Sequence, residues 1–233
     1  MNKQSNLYTV IYIIVMVVLV GSALAYTSIS LRDRQNDNIA ADKMRQILAS
    51  INITPEKGDI IAEFNKTITS QYLVNSRGEK VEGNAFNTDV ASQIHLAPEA
   101  RVLPVFEASV DGNTKYILPV YGAGLWGPIW GYVALDADAT TIYGAYFAHQ
   151  GETPGLGAEI TRPFFSKQFE GKHLFKGDTF MPVAVVKKGQ HPAGDEDYVD
   201  GISGGTITSK GVGEMLDNCL RPYASFLDNI RKK

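Results

Sequence analysis

From Leu7 to Tyr26 the chain is almost continuously apolar, and no charged side chain occurs between Gln4 and Leu31. About twenty helical residues rise about 30 Å, which matches the hydrocarbon core of a bilayer. Tyr8, Tyr12 and Tyr26 lie toward the ends of the run, where amphipathic rings favour the membrane interface. Residues 1–31 are therefore expected to form a single N-terminal membrane anchor. A cleaved signal peptide is the competing reading, because Ala23-Leu24-Ala25 resembles a cleavage site. The length of the apolar run and an n-region holding only Lys3 argue against it. Arg32 and Arg34 beyond the span offset Lys3 and the amino terminus, so charge does not set the orientation. No Asp, Glu, Lys, Arg or His lies within the span, which makes it a poor ion path.

The remaining residues, 32–233, are expected to form one mixed α+β domain. The chain has 233 residues, 44% of them hydrophobic, enough for one good-sized core. A net charge of −3 argues against a nucleic-acid partner. Cys219 stands alone, so no disulfide or thiolate metal site is expected, and it reads as core packing. His95, His149, His173 and His191 are scattered, and no metal site is expected among them.

Met44, Ile47, Leu48 and Ile51 follow helical spacing, predicting a stalk helix over 34–51, with a second helical segment over 60–71. Strands are predicted at 116–121, 130–135, 141–148 and 180–187, with a hairpin connection at 122–128 and a short helix at 163–169. From Val212 to Ile230 one apolar stripe marks a C-terminal helix, capped by Thr208 or Ser209 and kinked or broken at Pro222.

Two glycine-rich stretches carry the chemistry. Ser203-Gly204-Gly205-Thr206 runs through Ile207-Thr208-Ser209-Lys210 into that helix. Its glycines let a ligand approach the backbone, and a helix N-terminus, several hydroxyls and Lys210 suit a phosphate. Taken alone, the composition of this stretch favours an ordinary capped turn over a phosphate site. The second stretch, Gly151 to Ala158, is a tight loop able to approach a flat ligand, with a hydroxyl at Thr153 and an apolar contact at Leu156.

Together, Asp200, Ser203-Gly204-Gly205-Thr206, Thr208-Ser209 and the following helix resemble the flavinylation motif of the FMN-binding domain family. The loop Glu152-Thr153-Pro154-Gly155-Leu156-Gly157 matches that family's loop beside the isoalloxazine ring. Ser5-Asn6-Leu7-Tyr8-Thr9 and Leu125-Trp126-Gly127-Pro128-Ile129-Trp130-Gly131-Tyr132 are similar to the C-subunit family of Na+-translocating NADH:quinone reductases. Gly205 departs from the alanine usual at its position.

This resemblance implies one covalent FMN, esterified through its phosphate to Thr206 by a dedicated flavin transferase, with Thr208 the alternative acceptor. The implied cofactor contacts are Asp200, Ser203, Gly204, Gly205, Thr208, Lys210, Glu152, Thr153, Gly155 and Leu156. It further implies an electron relay without a complete active site or catalytic residue of its own. Its setting would be a six-subunit, Na+-exporting complex of the inner membrane, with the flavin domain on the periplasmic side. Two alternatives remain open: the corresponding flavin subunit of the Rnf ferredoxin:NAD+ oxidoreductase, and a membrane-tethered binding module without a redox cofactor.

Overall fold

The computed structural model describes residues 6–56 and 58–232. Lys3 of the thin n-region and Ser5 of the N-terminal motif lie outside them. Helix α1 (Asn6–Ser50) is uninterrupted for 45 residues. The expected anchor and stalk are thus one helix, because the polar stretch after Leu31 contains neither proline nor glycine to break it. An 18-residue window of α1 reaches a mean hydropathy of 2.5 with no part buried, long and apolar enough to cross a membrane. The chain divides into two compact units, with the boundary between Lys43 and Met44.

In the second unit, the end of α1 is followed by α2 (Ile60–Thr67) and β1 (Ile68–Val74). The helix expected to reach Gln71 stops at Thr67. The β-branched run Thr67-Ile68-Thr69 favours extended backbone, and β1 finds a partner in the sheet. Then come β2 (Lys80–Val81), α3 (Val90–Gln93), β3 (Leu103–Val110), β4 (Asn113–Ala123), β5 (Pro128–Leu135) and β6 (Ile142–His149). The sheet order is β2-β1-β3-β4-β5-β6, every neighbour antiparallel.

Both faces of this sheet are covered, and the two-residue period of a strand divides its side chains between them. Val74, Val105, Leu118 and Val133 belong to one core, with the C-terminal helices. Their chain neighbours Leu73, Phe106, Ile117 and Ala134 belong to the other, with Ile47, Leu48, Ile51 and Phe64. Trp130 fastens the end of α1 by donating its indole N–H to Gln46 Oε1 at 3.0 Å.

Beyond β6 lie α4 (Pro163–Ser166), a 3-10 turn (Lys167–Phe169), the hairpin β7 (Phe175–Lys176) and β8 (Thr179–Phe180), and β9 (Ala184–Val186). The single strand expected over 180–187 is interrupted between Phe180 and Ala184, where Pro182 has no N–H for a ladder. β9 pairs in parallel with β10 (Tyr198–Asp200). Helix α5 (Thr206–Leu220), a turn at Arg221–Tyr223 and α6 (Ala224–Arg231) complete the chain. Pro222 breaks the helix as its sequence position implied. Cys219 packs in the core at 5% exposure, its thiol pushed up in pKa by burial and donating to the Tyr121 carbonyl at 3.2 Å.

Asp197 fixes the approach to β10. Its carboxylate accepts from the His173 backbone N–H at 2.7 Å and from Lys176 Nζ at 2.9 Å, and lies 3.0 Å from His173 Nδ1. Burial pushes this carboxyl up, but its bonds to Lys176 and His173 and the charge of Lys176 outweigh burial and hold it at about 2. The folded value lies below the unfolded value of about 3.9, so its stabilisation is complete above that range and is lost as pH falls through about 2. We predict that Asp197→Asn lowers the melting temperature at neutral pH and loses less of it between about pH 4 and pH 2 than wild type does. Thermal melts across that range test this, and parallel acid limbs would contradict it.

Candidate functional site

The glycine-rich turn is suspended between β10 and α5. Gly201 extends the parallel ladder by donating to the Val186 carbonyl at 2.7 Å. Gln168 grips both backbone groups of Asp200: its Oε1 accepts from Asp200 N–H at 2.9 Å and its amide donates to the Asp200 carbonyl at 3.2 Å. The sequence carried no signal for this residue, because the contact spans 32 positions.

Past Asp200 the chain closes on itself, with Ile202 N–H donating to Ser209 Oγ at 2.8 Å. Gly205 N–H donates to the Ile202 carbonyl at 3.0 Å. Gly204 has φ +78, which favours glycine, and a Cβ there would stand 2.7 Å from Leu156 Cδ2, the movable end of an exposed side chain. The second motif loop therefore rests its leucine directly on the turn.

Helix α5 begins at Thr206, with Gly205 in the capping position and no side-chain cap. The expected caps, Thr208 and Ser209, instead lie inside its first turn. Their hydroxyls point to Glu152 and Ile202, which leaves the first-turn N–H groups for solvent or a ligand. Thr206 is exposed, whereas Thr208 is 1% exposed.

Glu152 joins three distant segments. It is 5% exposed, and its Oε1 accepts from Trp126 N–H at 2.8 Å while Oε2 accepts from the Thr208 hydroxyl at 2.5 Å. Its own N–H donates to His149 Nδ1 at 3.1 Å, at the end of β6. The carboxylate occupies the space a side chain would take at Gly157, whose Cβ would also collide with Thr208. Expected as a flavin-side residue, Glu152 is a buried brace beneath the surface.

Above this brace the loop is exposed at Thr153, Gly155 and Leu156. The Thr153 carbonyl accepts from Leu156 at 3.1 Å and Ala158 at 3.2 Å, and Gly155 N–H donates to Glu159 Oε1 at 3.0 Å. Ser203 and Gly204 are exposed at the turn; Lys210 lies a turn further along α5, paired with Glu214 at 3.2 Å.

Two grooves flank the turn. One, of about 690 Å³, reaches from β9 to Thr206 and Lys210; the other, of about 430 Å³, lies toward Gly155 and Gln168. An open hydroxyl at a helix N-terminus, lysines and apolar side chains at Trp126 and Leu156, 68% and 43% exposed, fit a phosphate joined to a flat aromatic ring.

This arrangement is that of an FMN-binding domain, and residues 124–221 match the family model of that description. Similarity extends over almost the full chain. The C subunit of the Na(+)-translocating NADH-quinone reductase of Vibrio anguillarum is 33% identical over 250 residues, 99% of this chain and 97% of that protein. Its Yersinia pestis counterpart is 31% identical over 99% of this chain and 95% of its own length. The crystal structure of the C subunit from Parabacteroides distasonis is 55% identical with a TM-score of 0.80, covering 84% of this chain and 96% of that one. The chain belongs to the C-subunit family of the Na+-translocating NADH-quinone reductases.

Removing the brace strands a buried hydroxyl and a backbone N–H. We predict that Glu152→Ala costs about 2–3 kcal/mol, read as a lower urea midpoint, and that Glu152→Gln, which keeps the shape, costs less. Equal midpoints for wild type and Glu152→Ala would contradict this role.

Proposed function

We propose that the chain is the FMN-carrying electron-transfer subunit of a Na+-translocating NADH:quinone reductase, with a single FMN esterified through its phosphate to Thr206. The observation that carries the attachment point is the contrast between two threonines. Thr206 is exposed at the first residue of α5 and borders the larger groove, whereas Thr208 is buried with its hydroxyl on Glu152. When bound, FMN supplies the one-electron chemistry that lets a carrier accept electrons originating from NADH and pass them toward quinone. The chain's own residues position the group: the first turn of α5 and Lys210 favour the phosphate, and Leu156 and Trp126 offer apolar surface to the ring.

Esterification needs a flavin transferase, because no histidine or carboxylate is placed against the Thr206 hydroxyl among the described residues. The other subunits of a six-subunit assembly would supply NADH oxidation, quinone reduction and the ion path, since the chain carries no charged side chain between Gln4 and Leu31. We place α1 in the inner membrane and the flavin domain on its periplasmic side. The full-length relatives favour this complex over the Rnf oxidoreductase.

Coexpression of the full chain with the transferase, followed by a denaturing gel under ultraviolet light, tests the attachment. Wild type is expected to fluoresce and Thr206→Ala to be dark. A dark wild-type band would leave a binding module without a flavin, and a fluorescent Thr206→Ala would move the ester elsewhere. Orientation is checked independently by protease added to spheroplasts, which is expected to digest residues beyond α1; full protection would place the domain in the cytoplasm.

A further inference from the structure

The two grooves beside the turn differ in charge. The smaller mixes Lys188 with Glu159 and Asp200, whereas the charged residues lining the larger are Lys187, Lys188 and Lys210 alone. Thr206 borders the larger groove and not the smaller. In a chain of net charge −3, this is a local reversal of sign at the acceptor.

The fold explains how Lys187 and Lys188 come to be there. β9 and β10 pair in parallel with Val186 opposite Asp200, and the Gly201 N–H continues the ladder to the Val186 carbonyl. The residues immediately after β9 are thereby carried alongside Gly201, Ile202 and Ser203. Both lysines are exposed, and neither has an ion-pair partner among the described residues. Lys210, by contrast, is held by Glu214 at 3.2 Å. Lys188 borders both grooves, on the ridge where the turn stands.

We propose that Lys188, assisted by Lys187, binds the non-bridging oxygens of the flavin phosphate at Thr206, both during its transfer and in the finished ester. This rests on the reading that Thr206 is the esterified residue. In the transfer, a bond forms between Thr206 Oγ and the FMN phosphorus of FAD, and the anhydride P–O bond breaks. AMP leaves with the bonding electron pair, and the hydroxyl proton passes to a basic group of the transferase. Attacking and leaving oxygens lie roughly in line, so the charge gathers on the non-bridging equatorial oxygens, where a cation in the groove beside Thr206 can reach one of them. The product phosphodiester keeps one negative charge, and a lysine ammonium is a compact donor for it. Lys188 is thus a positioning residue, and the chemistry of its partner is an anionic phosphoryl oxygen.

The test has two arms on the full-length chain in detergent. In the first, flavin transfer is timed by gel fluorescence at varied FAD and salt. Lys188→Ala is expected to lower the efficiency of transfer about tenfold and flatten its salt dependence, with Lys188→Arg restoring most of the loss. Lys66→Ala, on α2 outside the site, serves as the control and is expected to load like wild type. In the second, the purified, loaded protein is examined by phosphorus-31 NMR with the transferase absent. The ester resonance is expected to move in Lys188→Ala and to stay in place in Lys66→Ala. Lys188→Gln and Lys187→Ala carry the same two readouts should Lys188→Ala load too poorly to purify.

Slower transfer with an unmoved phosphorus resonance would mean that the lysines serve the transferase surface, and would overturn the proposal. Wild-type rate together with an unmoved resonance would overturn it too, as would failure of arginine to rescue. Thr206→Ala runs in parallel: if it loads like wild type, the attachment reading fails and not the lysine assignment alone.

Discussion

The site depends on one buried carboxylate. Glu152 has two oxygens in the interior with no ion-pair partner among the described residues, and the chain satisfies them with a backbone N–H from Trp126 and a hydroxyl from Thr208. These donors lie 26 and 56 positions from Glu152 along the chain. A buried carboxyl group is tolerated only where such partners converge. The requirement therefore fixes the β4–β5 hairpin, the loop after β6 and the first turn of α5 relative to one another. It also explains the bare backbone at Gly157: the carboxylate and Thr208 already fill the volume a methyl group would need.

The two-faced sheet makes this brace rigid. Adjacent residues of the central strands belong to opposite cores, so β4, β5 and β6 cannot shift register without exposing apolar groups on both sides. The loop bearing Glu152 leaves directly from the end of β6, where its N–H meets His149. The turn bearing Thr206 is pinned from the other direction, through the β9–β10 pair and the double grip of Gln168 on Asp200. A glycine-rich segment is thus held at both ends by elements packed into the larger core.

Local patterns in the sequence were a good guide wherever the governing contact was local. The apolar run of α1, the strands β4 to β6, the helix at Pro163 and the break at Pro222 all followed from spacing and from proline's missing donor. β1 and β3 went unseen because Pro104 and polar residues interrupt their alternation, and pairing within the sheet outweighs local preference. The helix start was misjudged for a related reason. Thr208 and Ser209 have the chemistry of caps, but Glu152, 56 positions away, takes the Thr208 hydroxyl, and the Ile202 N–H closing the turn takes that of Ser209. Lys187 and Lys188 gave no signal at all, since only the parallel register of β9 with β10 brings them to the turn. The motif residues were legible as a set, and the division of labour within the set, brace against surface, was not.

The bridge from Glu152 to Thr208 needs no cofactor to hold it: both donors to the carboxylate come from the chain itself. The turn bearing Thr206 is consequently held by the chain alone, and it exists only after segments from three parts of the chain have met. A transferase that recognises this turn in its folded shape would skip unfolded or half-folded chains. The yellow band on a gel would then count correctly assembled molecules, and the attached flavin would serve as a stamp applied after inspection.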